Sequence, residues 1–221
     1  MAAVLQRAEI DFAILGHEET CTGDPAKRMG NEYLYQTLAS RNIEVLERYG
    51  VKRILTMCPH CFNTIKNEYP YLGGNYEVLH YSQFVNELID QKKIKFVASL
   101  DTSLTYHDSC YLGRHNGVFD EPREVANQIP GVELIEMSRC RENGFCCGAG
   151  GGQMWMDNKP GEKVNHLRTS QFLETNATTV AVSCPFCLQM FEEGIEAKGL
   201  KEKKKAVDLI ELLNESMKVV Q

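Results

Sequence analysis

One cysteine pattern is written twice in this chain, and that repeat limits the fold more than any other feature. RILTMCPHCFNTIKNEYP at residues 53–70 is echoed by TVAVSCPFCLQMFEEGIE at 179–196. Each copy is a short apolar run, then Cys-Pro-aromatic-Cys, then a segment of helical periodicity. The surroundings repeat as well. NYEVLHYSQFVNELI (75–89) is matched by KKAVDLIELLNES (204–216), a strand-like piece leading into an amphipathic helix, and DFAILGHEETCTG (11–23) parallels VELIEMSRCRENGFCCG (132–148). Self-similarity of this kind marks one supersecondary unit used twice.

Apolar runs of four to six residues alternate with helical periodicity, the pattern of α/β layering with mainly parallel strands. Strands are expected near 10–15, 52–57, 76–79, 103–107, 132–136 and 179–183, and helices over 26–49, 61–69, 81–91, 122–129, 161–175, 185–197 and 207–217. The resulting architecture is two tandem pseudo-repeated α/β domains, 1–95 and 96–221, joined through the polar stretch from Asp90 to Asp101. The second copy opens with a strand and a cysteine, LTYHDSCYLGRHNG, that the first copy lacks. Residue 1 is therefore expected to sit inside a larger architecture.

A hydrophobic content of 43% over 221 residues supports real cores. The net charge of -6 supplies no basic face for nucleic acid, and the lysine run at 201–205 is interrupted by Glu202 and reads as a solvated helix start. Arg7, Glu9 and Asp11 break the opening segment, so it lacks the apolar core of a signal peptide, and no stretch approaches the roughly 20 apolar residues of a membrane span. Nine cysteines without an export signal point to metal or redox chemistry in a reducing compartment, the cytoplasm or the cytoplasmic face of a membrane complex.

The second copy supplies Cys110, the adjacent pair Cys146 and Cys147, and Cys184 and Cys187. Strand carboxyl ends are where open α/β sheets bind ligands, so three loops can bring five thiols to one point. Structural zinc takes four ligands and a cubane 4Fe-4S cluster takes four cysteines. Neighbouring residues in extended chain point apart, so Cys146 and Cys147 need a sharp turn or different metal atoms to share a centre. A polynuclear cluster with an extra or bridging thiolate fits both facts. The Gly148-Ala149-Gly150-Gly151-Gly152 run then allows positive-φ turns and close N–H approach to sulfur.

Cys110…Cys146-Cys147-Gly148…Cys184-Pro185-Phe186-Cys187 resembles the CCG, or cysteine-rich, domain of heterodisulfide reductase B- and D-type subunits and of related iron-sulfur oxidoreductase subunits. The resemblance covers essentially the whole chain. It implies a non-cubane 4Fe-4S cluster on those five cysteines, and electron transfer between a flavoprotein partner and a further acceptor, within a complex of iron-sulfur or membrane subunits. Two alternatives stand beside it: disulfide cleavage at the same cluster, as in heterodisulfide reductase, and a zinc-stabilised scaffold. No catalytic residue is identified.

The first copy departs from the pattern. It offers Cys21, Cys58 and Cys61, with Thr20 set where the first of the paired cysteines would stand, because 36 residues separate Cys21 from Cys58 as 36 separate Cys147 from Cys184. A cubane cluster, a zinc ion or a vestigial site all remain open there. CPHC before a helix also reads as a thioredoxin-like dithiol, but such a motif acts alone and leaves the other thiols without a purpose. Cys140 reads as a structural thiol outside the pattern. His107 sits before Cys110, with Ser109 where the family has proline; His107 and His80 are candidates for tuning the centre or for local hydrogen bonding. His60 adjusts local polarity, and His17, His115 and His166 read as surface residues. Met154, Trp155 and Met156 are expected to pack over the cluster and exclude water.

Overall fold

The computed structural model describes residues 1–156, 161 and 163–218. In chain order it contains α1 (Ala2–Arg7), α2 (Asp24–Arg28), α3 (Glu32–Arg48), β1 (Arg53–Thr56), α4 (Pro59–Asn63), β2 (Glu77–His80), α5 (Tyr81–Asp90) and β3 (Thr102–Tyr106). There follow α6 (Gly113–Asn116), α7 (Glu121–Gln128), β4 (Val132–Leu134), α8 (Val164–Leu173), β5 (Thr179–Val182), α9 (Pro185–Ala197), β6 (Lys205–Asp208) and α10 (Leu209–Ser216). No helix among the described residues is long and apolar enough to cross a membrane.

All strand pairs are parallel. β1 pairs with β2 in register Arg53↔Glu77 to Thr56↔His80, and the second sheet has the order β4-β3-β5-β6. β5, Thr179-Val180-Ala181-Val182, lies between β3 and β6 and is buried along its whole length, which is why it reads as unbroken small and β-branched residues. The fold is thus α/β and doubled, with Cys58, Cys110 and Cys184 just past the carboxyl ends of β1, β3 and β5.

The segment 10–15 forms no strand. Its counterpart β4 exists because Val132–Leu134 bonds to Thr102–Leu104 of β3. No strand among the described residues lies beside 10–15 as β3 lies beside β4, and Phe12 and Ile14 are 41% and 79% exposed. The expected helix 26–49 is broken between α2 and α3, where Asn31 caps the second piece by accepting the Leu34 N–H at 3.1 Å.

Among the described residues, three apolar clusters hold the molecule. One lies under the second-repeat thiols and includes Phe172, Val180, Val182 and Phe191. Another, with Tyr35, Phe62, Ile65 and Tyr69, lies under the first. The largest joins the repeats, packing Val4 and Leu5 of α1 and Tyr81, Val85 and Leu88 of α5 against Leu104, Val125 and Leu209. Tyr81 donates its hydroxyl to Asp208 and lies 2.8 Å from Ser183 Oγ, so the two repeats share polar as well as apolar interior.

Candidate metal centre

Each Cys-Pro-aromatic-Cys turn opens a helix, for a backbone reason. Proline has no N–H to leave unbonded and a fixed φ suited to the first helical position, and it forces the residue before it out of the helical region. Cys58 and Cys184 are therefore extended N-caps, at φ -107 and -160, while Cys61 and Cys187 fall in the first turn. Both sulfurs of each turn end up at the same helix end.

The thiols form one continuous row. Each thiol interacts with the next in the order Cys110, Cys146, Cys147, Cys187, Cys184, and Cys187 donates its S–H to Cys147 at 3.3 Å. The five expected second-repeat cysteines are thus brought together. The row then crosses to the first repeat, because Cys184 also interacts with Cys58, and Cys58 with Cys61. Cys21 stands at the rim, exposed, with its sulfur accepting the Gly23 N–H at 3.4 Å. Cys140 is outside the row, and burial raises its thiol pKa.

The two paired loops have the same geometry. Gly148, at φ +93, donates its N–H to Cys146 Sγ at 3.3 Å; Gly23, at φ +88, does the same to Cys21. A side chain at Gly148 would be strained by that φ and would meet Val164 at 3.0 Å; one at Gly23 would meet the Tyr35 ring at 2.9 Å. Cys21 therefore corresponds to Cys146, and Thr22 to Cys147. This corrects the register drawn from spacing. Threonine replaces the second of the paired cysteines, and one residue fewer separates this loop from its CPxC turn in the first repeat.

Neighbouring sulfurs and peptide N–H groups move the thiol pKa values in opposite directions. The neighbouring Cys110 and Cys147 thiols and the Gly148 N–H, which donates to Cys146 Sγ, lower the Cys146 pKa despite burial. Burial opposes ionisation of Cys184, but the Cys187 and Cys58 thiols and the N–H groups of Cys187 and Phe186 outweigh it and keep that thiolate well below the usual thiol range. Their neighbours move up. Cys110, Cys147, Cys187 and Cys61 are raised by neighbouring sulfurs and by burial, and Cys58, beside Cys184, rises to about 12.

Two polar braces, invisible in sequence, position these loops. In the second repeat both oxygens of Asp108 are engaged by Arg123, at 2.7 and 2.9 Å, and Oδ2 also accepts the Arg141 N–H at 2.7 Å, tying the Cys110 loop to the one that carries Cys146. In the first repeat Asp24, beside Gly23, accepts from His60 Nδ1 at 2.8 Å and from Arg28 at 3.0 Å. Burial opposes ionisation of Asp24, yet these donors outweigh it and hold the carboxyl below its ordinary value.

His60 also closes the seam between the repeats, its ring 4.2 Å from Tyr111 and 4.7 Å from Phe186, the middle residue of the other CPxC turn. Trp155 meets Phe186 edge-on at 5.6 Å but stays 56% exposed, and Met156 is exposed as well, while Met154 packs at the second cluster. His80 is a core residue that caps α5, and burial lowers its pKa to about 4. His107 is buried behind the second site, with a ring nitrogen within 4.8 Å of the Cys147 and Cys187 sulfurs. His17 and His115 are exposed and His166 half-buried, with His115 stacked on Tyr111 at 4.5 Å.

The donor set fits a multi-iron thiolate centre. Sulfur is its only abundant ligand, and the Gly148 N–H is directed at the Cys146 sulfur.

Residues 1–66 and 104–192 match the family described as Cysteine-rich domain, CCG. Over 98% of its length the chain is 46% identical to the EtfAB:quinone oxidoreductase of Syntrophomonas wolfei, of which it covers 31%. It is 46% identical to the probable iron-sulfur-binding oxidoreductase FadF of Bacillus subtilis, with 98% of this chain and 31% of that protein covered. To the D-type subunit of the dihydromethanophenazine:CoB–CoM heterodisulfide reductase of Methanosarcina barkeri it is 40% identical over 97% of its length and 53% of that protein's. The chain thus spans about a third to about a half of the length of these curated relatives.

Proposed function

This chain belongs to the cysteine-rich (CCG) domain family, and from that premise we propose that it is an iron-sulfur part of an oxidoreductase, in which Cys110, Cys146, Cys147, Cys184 and Cys187 hold a non-cubane 4Fe-4S cluster. The observation that carries the reading is the unbroken row of those five sulfurs, one more than zinc or a cubane cluster uses. The bound cluster supplies one-electron redox chemistry. The chain's own residues supply the rest. Neighbouring groups lower the thiol pKa values of Cys146 and Cys184, Gly148 donates its N–H to the Cys146 sulfur, and Phe186 beneath Trp155 shields the turn from water.

On this reading each repeat, 1–95 and 96–221, organises one thiol site. Cys21, Cys58 and Cys61 hold a second metal, a further cluster or zinc, with the Thr22 hydroxyl in place of the second paired thiol. The partners are a flavoprotein and other iron-sulfur or membrane subunits, with the chain on the cytoplasmic side. The 46%-identical relative named EtfAB:quinone oxidoreductase supports electron flow through such a complex.

A second reading has one observation in its favour. Cys110 and Cys146 line a small cleft with Arg114 and Arg141, an opening onto two of the thiols that suits a disulfide substrate, and one relative is named a heterodisulfide reductase. Anaerobic purification tests both. Iron and acid-labile sulfide near four per chain for the second site, lost in Cys147→Ser, uphold the cluster; a colourless, iron-poor protein rejects it. Metal analysis of Cys58→Ser assigns the first site, and disulfide turnover at catalytic rates gives precedence to the second reading.

A further inference from the structure

α8 buries an arginine against the second-repeat site. Asn165, Arg168, Thr169 and Phe172, spaced at helical i, i+3, i+4 and i+7, form its inward face, and Arg168 is 1% exposed. The guanidinium donates Nε–H to His107 Nδ1 at 3.1 Å, and Nη1 donates to the Arg139 carbonyl at 2.9 Å and to Gln171 Oε1 at 2.6 Å. All three acceptors are neutral. Nη2 is buried and has no hydrogen-bond partner among the described residues.

Asp108 does not neutralise this charge by contact, because both of its oxygens are taken by Arg123 and by the Arg141 N–H. Arg123 in turn is shared between Asp108 and Glu136. Burying a cation without a partner is costly, and such groups are retained where a counter-charge exists. Burial lowers the Arg168 pKa only to about 10, which leaves the group charged at neutral pH. The first repeat has a different arrangement: Lys27 and Arg28 there are paired with Glu68 and Asp24.

The contact with His107 decides the role of that ring. A guanidinium is never an acceptor, so His107 Nδ1 must accept, and a neutral imidazole then carries its proton on Nε2. Neither nitrogen has a free lone pair. His107 is therefore no metal ligand, despite lying within 4.8 Å of the Cys147 and Cys187 sulfurs.

We propose that Arg168 is the built-in counter-charge of the second-repeat centre, raising its reduction potential through the His107 contact and keeping that imidazole from ligating iron. This rests on the cluster reading above. An electron added to a thiolate-bound cluster makes it more negative, so a fixed cation in a dry interior favours the reduced form.

Redox titration of the complete, anaerobically purified protein tests it, with Arg168→Met and Arg168→Lys as variants. In Arg168→Met the reduced-to-oxidised ratio at a given potential should fall at least tenfold, 59 mV for a one-electron couple. Arg168→Lys, which keeps the charge, should stay near wild type. An iron-loaded Arg168→Met at the wild-type potential, or Arg168→Lys falling as far as Arg168→Met, would overturn the proposal while leaving the cluster reading intact. Pulsed EPR of histidine-15N-labelled wild type keeps the question decidable if Arg168→Met does not fold: absence of a directly coordinated nitrogen is expected, and a strongly coupled one refutes it. A wild-type protein without iron removes the underlying reading instead.

Discussion

Thr22 donates its hydroxyl to Cys61 Sγ at 3.6 Å, in the place where Cys147 bonds Cys187 at 3.3 Å in the second repeat. The two loops share a left-handed glycine and an N–H-to-sulfur bond, so a single change of sulfur to oxygen separates their donor sets at this position. Hydroxyl oxygen is a poor ligand for iron beside thiolate, which makes this pair the simplest handle on why the repeats differ.

Exchanging the two residues should exchange the property. Cys147→Thr is expected to weaken metal retention at the second site by at least the ~10–100-fold seen when supporting contacts of a metal site are lost. Thr22→Cys should change the metal content or the EPR line shape of the first site. Iron, zinc and sulfide analysis with EPR reads both, and unchanged spectra in both variants would contradict the correspondence.

The buried Asp24–His60 contact, with side chains 3% and 6% exposed, holds the CTG loop to the CPHC turn. Urea unfolding of Asp24→Asn, His60→Gln and the double variant should give a coupling energy of about 1–3 kcal/mol. A coupling near zero would show that the contact does not brace the loop.

His80 makes stability depend on pH in a predictable direction. Its pKa is about 4 in the folded chain against about 6.5 unfolded. The native state keeps it neutral, so its contribution is complete above about pH 6.5 and is lost as pH falls toward 4, a change on the order of 3 kcal/mol. Asp208, raised to about 6 by burial, acts in the opposite sense, because the native state takes up its proton first. His80→Asn, which preserves a capping side chain, should flatten the acid limb of stability measured between pH 4 and 7. An unchanged slope would mean that His80 is not the group responsible.

Trp155 lies edge-on to Phe186 within the CPFC turn while remaining half exposed. Its removal opens the turn to water and oxygen. Trp155→Ala should lose its visible absorbance in air several-fold faster than wild type, by analogy with the 10–100-fold effects of changes around metal ligands. Equal decay rates would assign shielding to other residues.

Much of this protein was legible from its letters because the relevant physics is local. Apolar runs set the strands, the proline of each CPxC turn starts a helix and leaves its cysteine extended, and the doubled pattern marks two units that present thiols together. The rest depended on partners distant in the chain. Residues 10–15 have strand-like composition but no neighbouring strand, so no ladder forms. Equal spacing suggested that Cys21 answers Cys147, but a one-residue difference in the intervening loop makes backbone geometry, rather than counting, the arbiter that assigns it to Cys146. Periodicity could have placed Arg168 on the buried face of its helix, since it falls in step with Phe172. That it meets His107 instead of a carboxylate, and that Cys58 of one repeat interacts with Cys184 of the other, are decided by tertiary packing, which alone brings such residues near each other.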